Sequence, residues 1–470
     1  MRTLLCKNPL GFVIGRKKIE GRFDVNYYKP EYRELLKKLK NSPFEIKRLG
    51  DIVSLSSERW EKPKSGTFRY IEINDIDTFS AQIIQAKELN VEDAPSRAQM
   101  VVKKDDIIVS TTRPYRGAIA LITEEYDGCI CSTGFAVIRE VKKEINRKYL
   151  LHILHSSIGL KQMEQRMTGG NYPAITSDEL LKIWIPIPSI DIQDKIIKIM
   201  NTAIKEKRKK EYKAQELLNS IDNYLMQELG IILPKIEEKS PLIYGVSSEF
   251  LKRERWDVEY WKPKYRKIIN AIQNGKYKVK KLGRFIREIN YGASVKNIYS
   301  EDGIPLLRIL NLRSNEVDLS DLVRLPYKMK KEIGNSYVQE GDFLISRSGT
   351  IGIVAIVPKE ADGFAFGSYM IRFKIEDGSV NKFYLSVVLN SVIGRIQTQR
   401  NKIGAIQTNI TIPSIKNLII PIPPEPIQDK IANEVKTRIE RAKELQEKEK
   451  QIVEKAKEKI KKIILGEKKI

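Results

Sequence analysis

The chain has 470 residues, 41% hydrophobic and 31% charged, and its 84 Lys and Arg against 60 Asp and Glu leave a net charge of +24. That much apolar material argues for real cores and against wholesale disorder. The longest stretch free of charged residues is 13 residues, 403–415, well short of the ~20 that a membrane-spanning helix needs. The positive excess points to a polyanionic partner, nucleic acid before acidic membrane, although a lysine-rich soluble surface would carry the same charge.

Residues 1–21 read as an N-terminal extension in which Lys7, Asn8 and Pro9 interrupt the apolar run, so no secretory leader is expected. Residues 22–184 mix short β-branched runs with Gly, Asn and Pro punctuation, the pattern of an α+β domain. At residues 185–188 the run Ile-Pro-Ile-Pro forces extended backbone. It leads into residues 193–229, which lack Gly and Pro and stop at Gly230, where a helix C-cap is expected. After a linker at 231–254 the pattern starts again, with an α+β domain at 255–419 and a closing helix segment at 420–470 that stops at Gly466. Helices of this length call for a coiled-coil or helix-pair reading. Their apolar series break at Lys207, Lys210, Arg438 and Glu449, which fits a loose two-helix pairing better than a long parallel zipper.

The two halves are copies. RFDVNYYKPEYR at 22–33 and RWDVEYWKPKYR at 255–266 are identical at eight of twelve positions. IPIPSIDIQDKI at 185–196 and IPIPPEPIQDKI at 420–431 are identical at nine of twelve. Weaker echoes fall between them in the same order: YIEIN ending at Asn74 with LLRILN ending at Asn311, DIIVS at 106–110 with DFLIS at 342–346, and Gly159 with Gly394. The long helices hold a net charge of +6, so +18 lies elsewhere, mainly in the two mixed domains.

Two divergent halves, each an α+β domain followed by Ile-Pro-Ile-Pro…Ile-Gln-Asp-Lys-Ile and a long helix, resemble the specificity subunit of a type I restriction-modification enzyme. The resemblance runs from about Arg22 to Gly466. It implies an α+β fold with two pseudo-symmetric target recognition domains, separated by a pair of long antiparallel helices. It further implies a two-part, asymmetric double-stranded DNA target. Two methyltransferase (modification) subunits would dock through the long helices, and restriction/translocase subunits would join the full complex. The chain itself would be non-catalytic and cytoplasmic, with S-adenosylmethionine and ATP with magnesium on the partner subunits. The residues agree in part: no Gly-rich loop ends in Gly-Lys-Ser/Thr, and no Asn-Pro-Pro-aromatic or Asp-Pro-Pro-aromatic tetrapeptide is present. The alternatives are a coiled-coil scaffold without sequence preference and a nucleic-acid enzyme such as a nuclease.

Base reading needs Arg, Lys, Asn and Gln on well-supported loops, because bidentate groups match base edges while positive charge meets phosphate. The loop after DIIVS offers Thr111, Thr112, Arg113, Tyr115 and Arg116, and its counterpart offers Arg347, Ser348 and Thr350. A second pair of loops, ahead of the Ile-Pro-Ile-Pro runs, offers Asn171 and Tyr172 in one half and Lys402, Gln407 and Asn409 in the other. Asn74 and the group Arg308, Asn311 and Arg313 form a third set. Glycine hairpins and a strand-capping asparagine are the plainer readings of these segments. Tyr27, Tyr28, Tyr32, Tyr260, Trp261 and Tyr265 stay aromatic between the halves, which favours packing over base stacking. His152 and His155 face Val387 and Asn390 across the repeat and read as helix residues, while Cys129 and Cys131 alternate as buried strand residues do.

Overall fold

The computed structural model describes residues 22–234, 243–249, 255–296, 298–376, 378–404 and 408–468, with Phe12, Ile14 and Ile19. The chain divides into two compact units, Met1–Tyr212 with Leu445–Ile470, and Lys213–Glu444. Both dividing points fall inside the two long helices, Ile190–Leu229 and Glu425–Ile464, of 40 residues each. Each unit therefore contains a mixed domain and a segment of both helices.

In the first unit a four-stranded sheet orders Lys87–Asn90, Thr67–Ile71, Ile130–Ser132 and Ala98–Val101. A second orders Val53–Leu55, Phe135–Val141, Ile107–Ser110 and Ile119–Leu121. The Ile-Pro-Ile-Pro run supplies Trp184–Ile187, which pairs antiparallel with Glu45–Arg48. A two-stranded ribbon tolerates proline because each strand needs its donors on one side only. The fully buried Tyr149 donates its hydroxyl to Pro186 O at 2.7 Å. Gln193, also fully buried, accepts from Asn146 N at 2.8 Å and donates to Glu144 O and Pro188 O at 2.9 Å. Asn146 in turn caps the helix Arg147–Leu154.

The second unit repeats these devices. Val279–Lys281 pairs with Ile419–Pro421, Tyr384 donates to Pro421 O at 2.8 Å, and Gln428 accepts from Asn381 N at 2.9 Å. Its main sheet has six strands, ordered Ile286–Tyr291, Met370–Ile375, Phe343–Ser346, Val354–Ile356, Asn315–Val317 and Leu312–Arg313. A separate three-stranded sheet orders Val323–Leu325, Ile304–Leu307 and Ala365–Phe366. The constant glutamine of both halves is thus explained by packing. A glutamine side chain with no route to water must spend its amide on backbone groups, and these two do.

Helix pairing is antiparallel within each unit. In the second unit Arg438 bonds the Ser220 hydroxyl at 2.8 Å while Lys430 meets Glu228 at 2.7 Å, so one number falls as the other rises. In the first unit Ile196, Met200 and Ala203 share a core with Val453, Ala456, Ile460 and Ile463. The break in the apolar series at Lys207 has a polar cause: its ammonium meets Glu449 at 3.3 Å and Asp77 at 3.7 Å, and lies over the Phe79 ring. Arg438 likewise lies over Tyr224 at 4.5 Å. Gly230 and Gly466 close the helices in the left-handed conformation, φ +61° and +72°, as helix-stopping glycines do. Among the described residues no helix is long and apolar enough to cross a membrane. Cys129 and Cys131 are buried free thiols, Cys131 pushed up to about 12 by burial.

Candidate nucleic-acid interface

In each unit two loops that lie far apart in sequence are stitched together by isolated β-bridges. Thr112 and Thr168 both bridge Ala174 in the first unit, and Ser348 and Ile403 both bridge Asn409 in the second. The loop after the DIIVS or DFLIS strand is thereby joined to the loop ahead of Ile-Pro-Ile-Pro. The frames match, and the side chains they carry do not.

In the first unit, Thr111 is committed to the frame: its hydroxyl donates to Gly134 O at 2.9 Å and its carbonyl accepts from Ile175 N at 2.8 Å. Arg113 stands at φ +47°, the left-handed region, where its counterpart is Gly349 at φ +72°. Holding a side chain there costs ~1–3 kcal/mol, a strain that concentrates at functional sites. Its backbone N–H donates to Pro173 O at 2.8 Å, its guanidinium donates to Asn171 O at 3.1 Å, and it lies 5.4 Å from the centre of the exposed Tyr172 ring. Asn74, Thr112, Arg113, Arg116 and Tyr172, drawn from all three predicted segments, line one cavity of about 850 Å³. Tyr115 and Asn171 are exposed on the same loops outside that lining. The cavity also takes in Tyr70, Arg97 and Ser132, which carry no signal in the sequence because only strand pairing brings them there.

In the second unit Arg347 lies 4.7 Å from the Tyr291 ring centre, its backbone N–H donating to Tyr369 O at 2.9 Å and its carbonyl accepting from Ile410 N at 3.0 Å. Ser348 is buried and donates its hydroxyl to the Asn409 side chain. Thr350 is exposed at the loop tip, its carbonyl accepting from Ser346 Oγ at 2.6 Å. The Lys402 carbonyl accepts from Arg255 at 3.2 Å. Gln407 lies outside the described residues. The second unit's members of the third set, Arg308, Asn311 and Arg313, are spent on their own domain. Asn311 is buried, accepts from Arg308 N at 2.8 Å and donates to Asp318 O and Asp321 O. Arg308 meets Asp321 at 2.9 Å, and Arg313 meets Asp318 at 3.1 Å.

Each unit also repeats an arginine ion pair, half-buried at Arg139 and buried at Arg372. Arg139 donates to Asp106 at 2.9 Å and to Glu58, and Arg372 meets Asp342 at 3.5 Å and Glu288. Asp106 and Asp342 each immediately precede the strand that leads into a candidate loop, so the pairs anchor the starts of those strands. The aromatic opening motif packs rather than stacks on bases. Tyr27, Tyr28 and Tyr32, and Tyr260, Trp261 and Tyr265, are all buried. Arg22 and Arg255 tie the motif down through Arg166 O at 3.3 Å and Asn401 O at 3.0 Å.

Comparisons with known proteins give the frame a lineage. The family described as "Type I restriction modification DNA specificity domain" matches residues 41–219 and 274–455. The chain is 25% identical over 204 residues to the "Type I restriction enzyme HindI specificity subunit" of Haemophilus influenzae, covering 43% of this chain and 44% of that protein. It is 21% identical over 343 residues to the "Type I restriction enzyme EcoKI specificity subunit" of Escherichia coli K12, covering 71% and 68%. The first match thus spans less than half of that protein's length. A structure described as "Structural basis underlying complex assembly and conformational transition of the type I R-M system" aligns with TM-score 0.50 at 22% identity, covering 88% of this chain and 98% of that one.

Proposed function

This chain belongs to the type I restriction modification DNA specificity domain family, and from that premise we propose that it reads a two-part double-stranded DNA target, one half-site per unit, for a multisubunit enzyme whose chemistry resides in its partners. The observation that carries this reading is the doubled frame of bridged loops, alike in backbone and different in side chains. Two copies reading one sequence would have no reason to diverge at their tips. The +24 charge supplies affinity for phosphate that is independent of sequence, and the loops supply discrimination. Methyl transfer from S-adenosylmethionine, and ATP- and magnesium-dependent restriction, fall to the modification and restriction subunits in the cytoplasm.

Co-expression with the modification subunit followed by methylation mapping tests the reading. The expected product is one asymmetric motif of two half-sites, and Arg113→Ala is expected to relax one half-site by about tenfold while leaving the other intact. Methylation without a two-part motif, or DNA cleavage by the purified chain with magnesium alone, would overturn it.

Docking of the modification subunit in two copies rests on what the halves keep. In each half the opening motif presents an exposed apolar pair. Phe23 and Val25 are 88% and 68% exposed, and their counterparts Trp256 and Val258 are 77% and 70% exposed. Exposed apolar pairs retained twice suit a partner that binds twice, beside its contacts with the long helices. Phe23→Asp is expected to weaken one of two bound modification subunits at least about tenfold, and Phe23→Asp with Trp256→Asp to weaken both. Unchanged two-to-one assembly of the double variant in native mass spectrometry would refute this arrangement.

A further inference from the structure

The turn that carries Asn74 has a counterpart in the second unit, and it is not the one that the repeat suggests. Strand Thr67–Ile71 runs into a single 3-10 turn at Ile73–Asp75, and strand Ile304–Leu307 runs into one at Ile309–Asn311. The residues before the turns, Glu72 and Arg308, share one backbone conformation, φ −106° with ψ 170° and φ −107° with ψ 166°. Each donates its N–H to the side chain closing its turn, Glu72 to Asp75 at 3.0 Å and Arg308 to Asn311 at 2.8 Å. Asp75 and Asn311 are both 2% exposed. These two are therefore the matched pair. Asn74 corresponds to Leu310, one residue earlier, and both are exposed.

Both tips stand beside a reading loop. The strand before Asn74 pairs in parallel with Ile130–Ser132, and Gly134 just beyond accepts from Thr111 N at 2.8 Å. The strand before Leu310 pairs in parallel with Ala365–Phe366, and Tyr369 just beyond accepts from Arg347 N at 2.9 Å. The route from tip to reading loop is the same in both units. In the first it ends in the cavity that Asn74 shares with Arg113 and Arg116. The tips are also held still. Arg313 donates to Leu310 O at 2.8 Å and Leu312 O at 3.1 Å, and Gln85 donates to Asp75 at 3.1 Å.

A leucine 63% exposed at such a tip does nothing for the core and nothing for a phosphate. What it can take is an apolar feature of a base, and in the major groove that feature is the 5-methyl group of thymine. An asparagine at the same tip can donate to and accept from one adenine edge, N7 and the 6-amino group. We propose that Asn74 and Leu310 are matched specificity-determining residues, Asn74 reading an adenine in one half-site and Leu310 a thymine methyl in the other. Asn311, Arg308 and Arg313 position the second tip and do not touch a base. The inference rests on the half-site reading above.

The test is methylation mapping of the wild-type chain, Leu310→Asn, Leu310→Ala and Asn74→Leu, each co-expressed with the modification subunit. Leu310→Asn is expected to change one base position in one half-site, away from thymine, by about tenfold or more, and Leu310→Ala to relax that position without a new preference. Asn74→Leu should change one position in the other half-site. Both sites are exposed, so equal melting temperatures will separate lost recognition from lost folding. An unchanged motif with full methylation in both Leu310 variants would overturn the proposal, as would a change in the wrong half-site. Absence of a two-part motif for the wild-type chain would instead overturn the half-site reading itself.

Discussion

Alanine at Gly159 is expected to destabilise the first unit by about 3 kcal/mol, and alanine at Gly394 to do the same to the second. In each unit two helices meet without a loop between them: Arg147–Leu154 with Ser157–Arg166, and Lys382–Asn390 with Val392–Asn401. One serine serves both helices at the joint. Ser156 donates to Ile153 O at 2.7 Å and accepts from Ile158 N at 3.2 Å, and Ser391 does the same with Val388 O and Ile393 N. The second helix must then pass across the last carbonyls of the first. A Cβ on Gly159 would lie 2.7 Å from Ile153 O and closer still to Leu154 O, and one on Gly394 would lie 2.6 Å from Leu389 Cα. These are backbone atoms, so no side-chain rotation relieves the clash. The helix that would have to move holds Gln162, whose amide bonds Trp184 on both sides, N–H and C=O, and Gln397 does the same at Ile419. At ~2–4 °C per kcal/mol for a unit of this size, each variant should melt roughly 6–12 °C lower. Hydrogen exchange should place the loss in the first unit for Gly159→Ala and in the second for Gly394→Ala. Variants that melt within a degree of the parent would show that the joint opens at little cost.

Much of the architecture was legible because the chain is written twice. A residue held constant between two copies whose loop tips differ must serve something they share, and Gln193 with Gln428, and Tyr149 with Tyr384, turn out buried against the same backbone groups. The C-terminal ends of the long helices were read within about two residues, since glycine ends a helix by a local rule. The reading tips were harder. That Thr112 meets Ala174, or Ser348 meets Asn409, is a fact of tertiary pairing over some sixty residues with no local trace. Asn74 was aligned with Asn311 because identity of residue type outweighed position, whereas the turn is closed by Asp75 in one copy and Asn311 in the other. Carboxylate and carboxamide oxygens accept the same hydrogen bond, so the two residues exchange freely at a buried cap and leave a false match beside it. The uneven heptads had a similar source. Lys207 interrupts the apolar series because an ion pair with Glu449, not a methyl group, fills the seam there.

Acidification to pH 5 is expected to loosen the first unit well before the second. Both histidines of the chain lie in the first unit. Burial pushes His152 down to about 4, helped by Lys148 and Lys457, and no partner for either ring nitrogen is present among the described residues. Burial pushes His155 down to about 3, with Lys457 adding to it against a 2.8 Å hydrogen bond to Thr78 O and the nearby Asp77 carboxylate. An unfolded histidine titrates near 6.5, so between ~6.5 and the folded values the unfolded chain binds more protons. Stability is therefore full above ~6.5 and falls as the pH falls, by roughly 2 kcal/mol per histidine at pH 5 and about 3 kcal/mol for His152 by pH 4. The second unit has Val387 and Asn390 at these positions, so it holds no buried histidine to take up a proton in this window. Hydrogen exchange at pH 7.5 and pH 5 should thus show protection lost across the first unit and kept in the second. His152→Val, which copies the other half, removes two partnerless buried nitrogens and should raise stability by ~1–3 kcal/mol at pH 7.5. It should also remove about half of the acid loss. Equal acid sensitivity of the two units, or a His152→Val variant that melts lower at pH 7.5 with the acid loss intact, would show that these rings are solvated and partnered in solution.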